Sequence, residues 1–314
     1  MSTAKASSTE LGIHLRHGLK PATTTHDMSS PDSAGATPQT SPAVSVVVPC
    51  WNAGQFLDGL FECLDKQTFE NFEVIVVDDG STEPETLKTL SALPASVRLV
   101  RQENRGLPSA RNTGFRSAKG EFVLPLDCDD RIQPEFLALG VATLEANRSI
   151  DFVFSHMLLT GARQGVVERS FNPFDQLFLN QLPYALLMRK AAWERVGGYD
   201  ESMTGGYEDW DFNMRLIRSG SVGQSLKAPL FVYRVAGDGM LLQKSARRHG
   251  ELWRRIRNKH PQAYRLSRLM QLRRESGPGK VSLTVAAALL TSALLLPDRI
   301  FGALFHRALA SRAR

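Results

Sequence analysis

Only three cysteines, Cys50, Cys63 and Cys128, occur in 314 residues. An odd number without metal-ligand spacing excludes a disulfide framework and points to a reducing compartment. Long apolar runs are missing too. The uncharged stretch VSLTVAAALLTSALLL at 281–296 has 16 residues, and a spanning helix needs about 20. No apolar segment of signal-peptide type follows the first Met, so export is not expected. Large apolar side chains are scarce up to residue 42, where Ser, Thr, Ala and Pro dominate. Such a segment buries too little surface to offset its chain entropy, and residues 1–42 read as a disordered leader. The chain as a whole is 42% hydrophobic, ample for a sizeable core.

Charge is unevenly spread. The net +6 divides into −7 over residues 1–243, +10 over 244–280 and +3 over 297–314. The body is acidic and the tail basic. Arg clusters neutralise phosphates, but no nucleic-acid module or aromatic stacking platform accompanies this one, so no nucleic-acid partner is expected.

From Val44 the run VSVVVP predicts a short buried strand, and NAGQFLDGLFECLDKQT places Phe56, Leu57, Leu60, Phe61 and Leu64 at helical spacing. FEVIVVDDGS, RLVRQEN and EFVLPLDCDD predict three more strands, with helices at 83–92 and in SARNTGFRSAKG. Further on, a helix from Pro134 to Ala146, a strand DFVFSHML, a hairpin-like excursion GARQGVVERSF and a helix over 190–196 are expected. Near-continuous apolar strands alternating with helices indicate a mostly parallel sheet covered on both faces, with ligands beyond the strands' carboxyl ends. The polar clusters fall there: Pro49-Cys50-Trp51-Asn52, Asp78-Asp79-Gly80-Ser81, and the triplet Asp127, Asp129, Asp130. Three carboxylates in four positions repel, and a hard divalent cation with oxygen ligands offsets such repulsion. Cys128, between two of them, reads as a small strand-end residue, since neighbouring negative charge disfavours a thiolate. Glu208-Asp209-Trp210-Asp211 opens another helix, where the dipole favours carboxylates.

VSVVVPCWN, VVDDGST, NRGLPSARNTG, LPLDCDD and GGYEDWD, in that order and spacing over about residues 44–235, resemble the family 2 glycosyltransferases of GT-A fold. The resemblance implies an α/β, Rossmann-like domain at 43–240, with a nucleotide-binding half 43–131 and an acceptor half 132–240, then a helical tail 241–314. It implies a nucleotide-sugar donor, with the base against Pro49 and Trp51 and its N–H on Asp79, while Asp78 supports the loop. Trp51 is otherwise a core residue. Asp127 would serve the nucleotide, and Asp129 and then Asp130 a Mn²⁺ or Mg²⁺ ion on the diphosphate. Arg105 and Arg111 pair either with the diphosphate or with the acidic triplet. Asp209 aligns with the catalytic base of a single, inverting displacement, Glu208 and Trp210 with the acceptor pocket, and Arg234 with a diphosphate contact. Processive members carry a Gln-x-x-Arg-Trp motif and several membrane helices, and this chain lacks both.

Two other readings compete. A metal-dependent nucleotidyltransferase needs a Gly-rich basic loop after the first strand, yet CWNAGQF holds no Lys or Arg. A catalytically silent glycan-binding scaffold should lack a base or metal ligand, yet Asp79, Asp129 and Asp209 are present. The expectation is a transferase acting on a glycan or lipid-linked acceptor in cell-surface polysaccharide or glycoconjugate synthesis. With its basic flanks, 281–296 is either a peripheral anchor at the cytoplasmic face of the membrane or a helix packed on the catalytic domain.

Overall fold

A computed structural model describes residues 41–236, 248–298 and 300–303. All but the last two residues of the expected leader, and residues 237–247 and 304–314, lie outside the described residues. The first half alternates β1 (Val44–Cys50), α1 (Leu57–Asp65), β2 (Phe72–Asp79), α2 (Pro84–Ser91), β3 (Val97–Gln102), α3 (Leu107–Ser117) and β4 (Phe122–Pro125). Then come β5 (Arg131–Ile132), α4 (Phe136–Ala146), β6 (Phe152–Phe154), β7 (Met157–Gly161), β8 (Gly165–Val167), α5 (Pro173–Gln176), β9 (Leu187–Arg189) and α6 (Lys190–Arg195). The chain continues through α7 (Glu208–Arg218), β10 (Gly223–Ser225), β11 (Phe231–Val235), α8 (His249–Lys259), α9 (Leu266–Ser276) and α10 (Leu283–Leu295).

A seven-stranded sheet runs β10-β6-β9-β4-β1-β2-β3, parallel except that β9 opposes both of its neighbours. Strand alternation splits its apolar runs between two cores. Val46, Val48, Val74 and Val76 face one core with Leu57 and Leu60 of α1 and Phe136 of α4. Val47, Ile75 and Val77 face the other, with Ala110 and Phe115 of α3 and Phe212 and Leu216 of α7. Both faces being covered is why these strands read as unbroken hydrophobic runs. At Gly114 an added Cβ would lie 2.1 Å from Val47, so only glycine lets α3 approach β1 this closely.

The expected strand DFVFSHML divides. β6 stays in the large sheet, whereas β7 joins a second sheet, β5-β11-β7-β8. The crossing is at Ser155-His156, where the His156 N–H turns to the Ala228 carbonyl. The polar excursion is the β7–β8 hairpin, and β11 brings its residues beside the loop after β4. A third core joins Trp210 and Met214 of α7 to Trp253 and Ile256 of α8, Leu269 and Leu272 of α9, and Ala286, Leu289 and Ala293 of α10. The described residues from 41 onward thereby form a single compact unit. The segment 281–296 is a 13-residue helix with one face packed on the domain. No helix among the described residues is long and apolar enough to cross a membrane.

Candidate active site

The carboxyl ends of β1, β2 and β4 open on a pocket of about 730 Å³, walled by Pro49, Trp51, Asp79, Arg105, Asp127, Asp129 and Glu208 among others. Trp51 is 56% exposed, so its ring is a wall of the pocket and not a core residue. Its position is fixed by Asn52, whose side-chain oxygen accepts from the N–H groups of Thr82 (2.8 Å) and Glu83 (3.0 Å). Asp78 accepts from the Ser81 N–H at 2.9 Å and so shapes the loop after β2. Asp79 organises the next loop: its two oxygens accept from the N–H groups of Arg105 (2.9 Å) and Gly106 (2.8 Å). Oδ1 also accepts from Gln102 Nε2 at 2.7 Å, so the lone pair left over is on Oδ2, which meets only the Gly106 N–H.

Arg111 answers the pairing question. It is 1% exposed, contacts both Asp127 oxygens at 2.9 and 3.1 Å, and reaches Glu208 at 2.9 Å. It therefore joins the acidic turn to the start of α7. Arg105 stays exposed on the pocket wall, paired with Glu201 at 2.7 Å. Asp129 is partly exposed on the pocket and is met only loosely, at 3.4 Å, by Arg234, whose guanidinium lies over Phe56. Burial and the neighbouring Asp127 charge push its pKa up, the electrostatic strain that a cation would relieve.

Five expected site residues, Arg111, Asp130, Asp209, Trp210 and Arg234, are off the pocket wall, and two of them, Asp130 and Trp210, are turned away from it. Asp130 is 1% exposed and outside the pocket wall. Its oxygens accept from Tyr184 Oη (2.5 Å) and the Arg234 N–H (2.7 Å), so it supports the turn from behind and has no oxygen turned to a ligand there. Trp210 is 1% exposed, donates to the Gln176 carbonyl at 2.7 Å, and fills the third core. One turn along α7, Met214 occupies the same core, and this helical spacing turns the indole away from any acceptor pocket.

Glu208 lines the pocket, and burial lifts its pKa to about 7 against the opposing pull of Arg111. Asp209 lies beside it in the first turn of α7 but off the pocket wall, accepting from Asn180 Nδ2 at 2.8 Å. Burial raises its pKa, partly offset by Arg111. Tyr184 and Asn180 were not signalled by the sequence: both sit in the apolar stretch FLNQLPYALLM, and their roles arise from contacts more than 25 positions away.

Among the described residues no group of three or more His, Cys, Asp or Glu is placed to hold a metal alone. Of the acidic turn, Asp127 and Asp129 face the pocket, a carboxylate pair suited to a hard divalent ion that completes its shell with phosphate and water oxygens.

Residues 45–194 match the family model described as glycosyl transferase family 2. An uncharacterised glycosyltransferase of Haemophilus influenzae is 30% identical over 57% of this chain and 63% of its own length. A chondroitin synthase of Escherichia coli is 28% identical over 59% of this chain but only 28% of its own. The chain thus spans under two thirds of these relatives. Among solved structures, S. aureus TarS residues 1–349 with UDP-GlcNAc superposes with a TM-score of 0.59 at 23% identity, covering 86% of this chain and 88% of that one. The mannosyltransferase PcManGT of Pyrobaculum calidifontis, with GDP-Man and Mn²⁺, gives 0.54 at 21%, covering 88% and 82%. Residues 45–194, which hold the motifs of all three strand ends, thus match glycosyl transferase family 2, and the described fold is that of these GT-A structures.

Proposed function

We propose that this protein moves a sugar from a nucleotide-sugar donor, a UDP-sugar, to a hydroxyl of a glycan or lipid-linked acceptor, with inversion at the anomeric carbon. The observation that carries this reading is the convergence of Trp51, Asp79, Asp127, Asp129 and Glu208 on one pocket from three strand ends and one helix start. The base stacks or leans on Trp51, with its N–H on a remaining lone pair of Asp79. Asp127 and Asp129 hold a Mn²⁺ or Mg²⁺ ion, as the Mn²⁺ bound by PcManGT supports. That ion supplies charge stabilisation of the departing diphosphate. Arg105 and Arg234 reach the same leaving group. Asp209 accepts the proton of the acceptor hydroxyl, a task its raised pKa favours.

The tail adds a location. α10 leaves Leu294 (70%) and Leu295 (75%) exposed, α9 leaves Leu266 (76%) exposed, and residues 244–280 carry a net +10. Exposed leucines beside arginines support a peripheral contact with the anionic inner face of the cell membrane, as in surface polysaccharide or glycoconjugate synthesis. Replacing Leu294 and Leu295 by Ser should abolish flotation with anionic vesicles, and unchanged flotation would contradict the contact.

Isothermal titration tests the donor site. UDP should bind in the presence of Mn²⁺ and lose that affinity in Asp129→Ala. If no nucleoside diphosphate binds and the variant behaves as wild type, the reading is wrong.

A further inference from the structure

Behind the pocket, one hydroxyl ties both ends of the acidic turn. Tyr184 Oη accepts from the Asp127 N–H at 3.0 Å and donates to Asp130 Oδ2 at 2.5 Å. The other Asp130 oxygen accepts from the N–H of Arg234, whose side chain reaches Asp129. The Tyr184 ring is held in turn, with the Arg111 guanidinium 4.6 Å from its centroid and Phe231 edge-on at 5.4 Å. Tyr184 itself is not on the pocket wall.

We propose that Tyr184 is a positioning residue of the donor site, its hydroxyl fixing the turn 127–130 so that the Asp127 and Asp129 carboxylates face the pocket together. Two carboxylates two positions apart repel, and a free turn relaxes by rotating them apart. Sharing an ion requires them close, so their spacing must be fixed before the ion arrives. Asp130 supplies the anchor: buried and already bonded to β11, it gives Tyr184 Oη a rigid partner. The inference rests on the reading of this pocket as a metal-dependent nucleotide site.

Tyr184→Phe keeps the ring under Arg111 and against Phe231 and removes only the hydroxyl. Titration of UDP into the full chain, with and without saturating Mn²⁺, reads the effect. Outer-shell partners of metal ligands are worth about 10–100-fold in metal affinity, so the Mn²⁺-dependent UDP affinity should fall about 10-fold. The metal-free affinity should not change. Asp130→Asn should lose a similar factor, and the double variant no more than the larger single loss, because both remove one linkage. If Tyr184→Phe does not fold, as judged by its melting curve, Asp130→Asn and wild type carry the same comparison. Equal losses with and without Mn²⁺, an unchanged affinity, or additive losses would overturn the proposal. Wild-type UDP binding that ignores Mn²⁺ would overturn it while leaving the nucleotide reading standing, whereas no UDP binding in either condition would overturn both.

Discussion

Residues 44–131 and 132–235 build their share of the pocket differently. In residues 44–131 the pocket-facing groups follow the carboxyl ends of parallel strands, so local order along the chain fixes where Trp51, Asp79, Asp127 and Asp129 point. In residues 132–235 the wall comes from Met203, Thr204 and Gly206 before α7 and from Glu208 at its start, while Tyr184 and the backbone of β11 hold Asp130 from behind. There, packing against the third core decides. It draws Trp210 inward and leaves its neighbour Glu208 on the pocket. A motif at a strand end therefore locates a side chain, whereas a motif at a helix start locates only the helix.

The largest effect that can break this comparison is at Asp209. Asp209→Asn should lower kcat by about 10²–10⁴-fold, the usual worth of a general base, with donor KM little changed. A full loss in Glu208→Gln with a mild one in Asp209→Asn would reverse the two roles. Asp129→Ala should cost about 10²–10³-fold, as for loss of one transition-state electrostatic contact, and raise the Mn²⁺ requirement. Steady-state rates over a Mn²⁺ series measure it.

Trp210→Ala should separate the two stretches by another measure. A buried Trp truncated to Ala costs about 3–5 kcal/mol, so chemical denaturation should show a large loss of stability. Donor affinity should hold wherever the variant stays folded, because the indole faces the third core and not the pocket. A selective loss of acceptor affinity with stability intact would return Trp210 to the site.

The smallest effect is pH linkage at Glu208. Its folded pKa of about 7 lies above the ordinary value of 4.5. Between those values the unfolded chain ionises first, and wild-type stability should fall as pH rises through that window. Glu208→Gln should flatten this slope in denaturation curves collected across the window. An unchanged slope would mean that Arg111 keeps Glu208 ionised throughout.

The strands β1 to β4 and the helices between them were legible because buried parallel strands and amphipathic helices write their periods into the sequence. β9 was not, since three residues inserted antiparallel between β4 and β6 carry no pattern of their own. The break between β6 and β7 was also hidden, because apolar continuity across Ser155-His156 is the same whether a strand continues or changes sheet. For the site, carboxylate positions could be read but not their exposure. Asp129 and Asp130 are adjacent in sequence, yet only Asp129 reaches the pocket. For Arg111 the sequence left the diphosphate and the acidic triplet both open; the triplet's Asp127 is a partner, whereas Glu208, 97 positions away, carried no signal as one.

The central claim is that the strand-end carboxylates serve transfer from a nucleotide sugar. Mass spectrometry of a panel of nucleotide sugars, incubated with the protein with and without Mn²⁺, tests it most directly. The account predicts release of nucleoside diphosphate from at least one UDP-sugar, dependent on Mn²⁺ and absent in Asp129→Ala. Equal release by wild type and Asp129→Ala, or none from any donor with Mn²⁺ present, would contradict it.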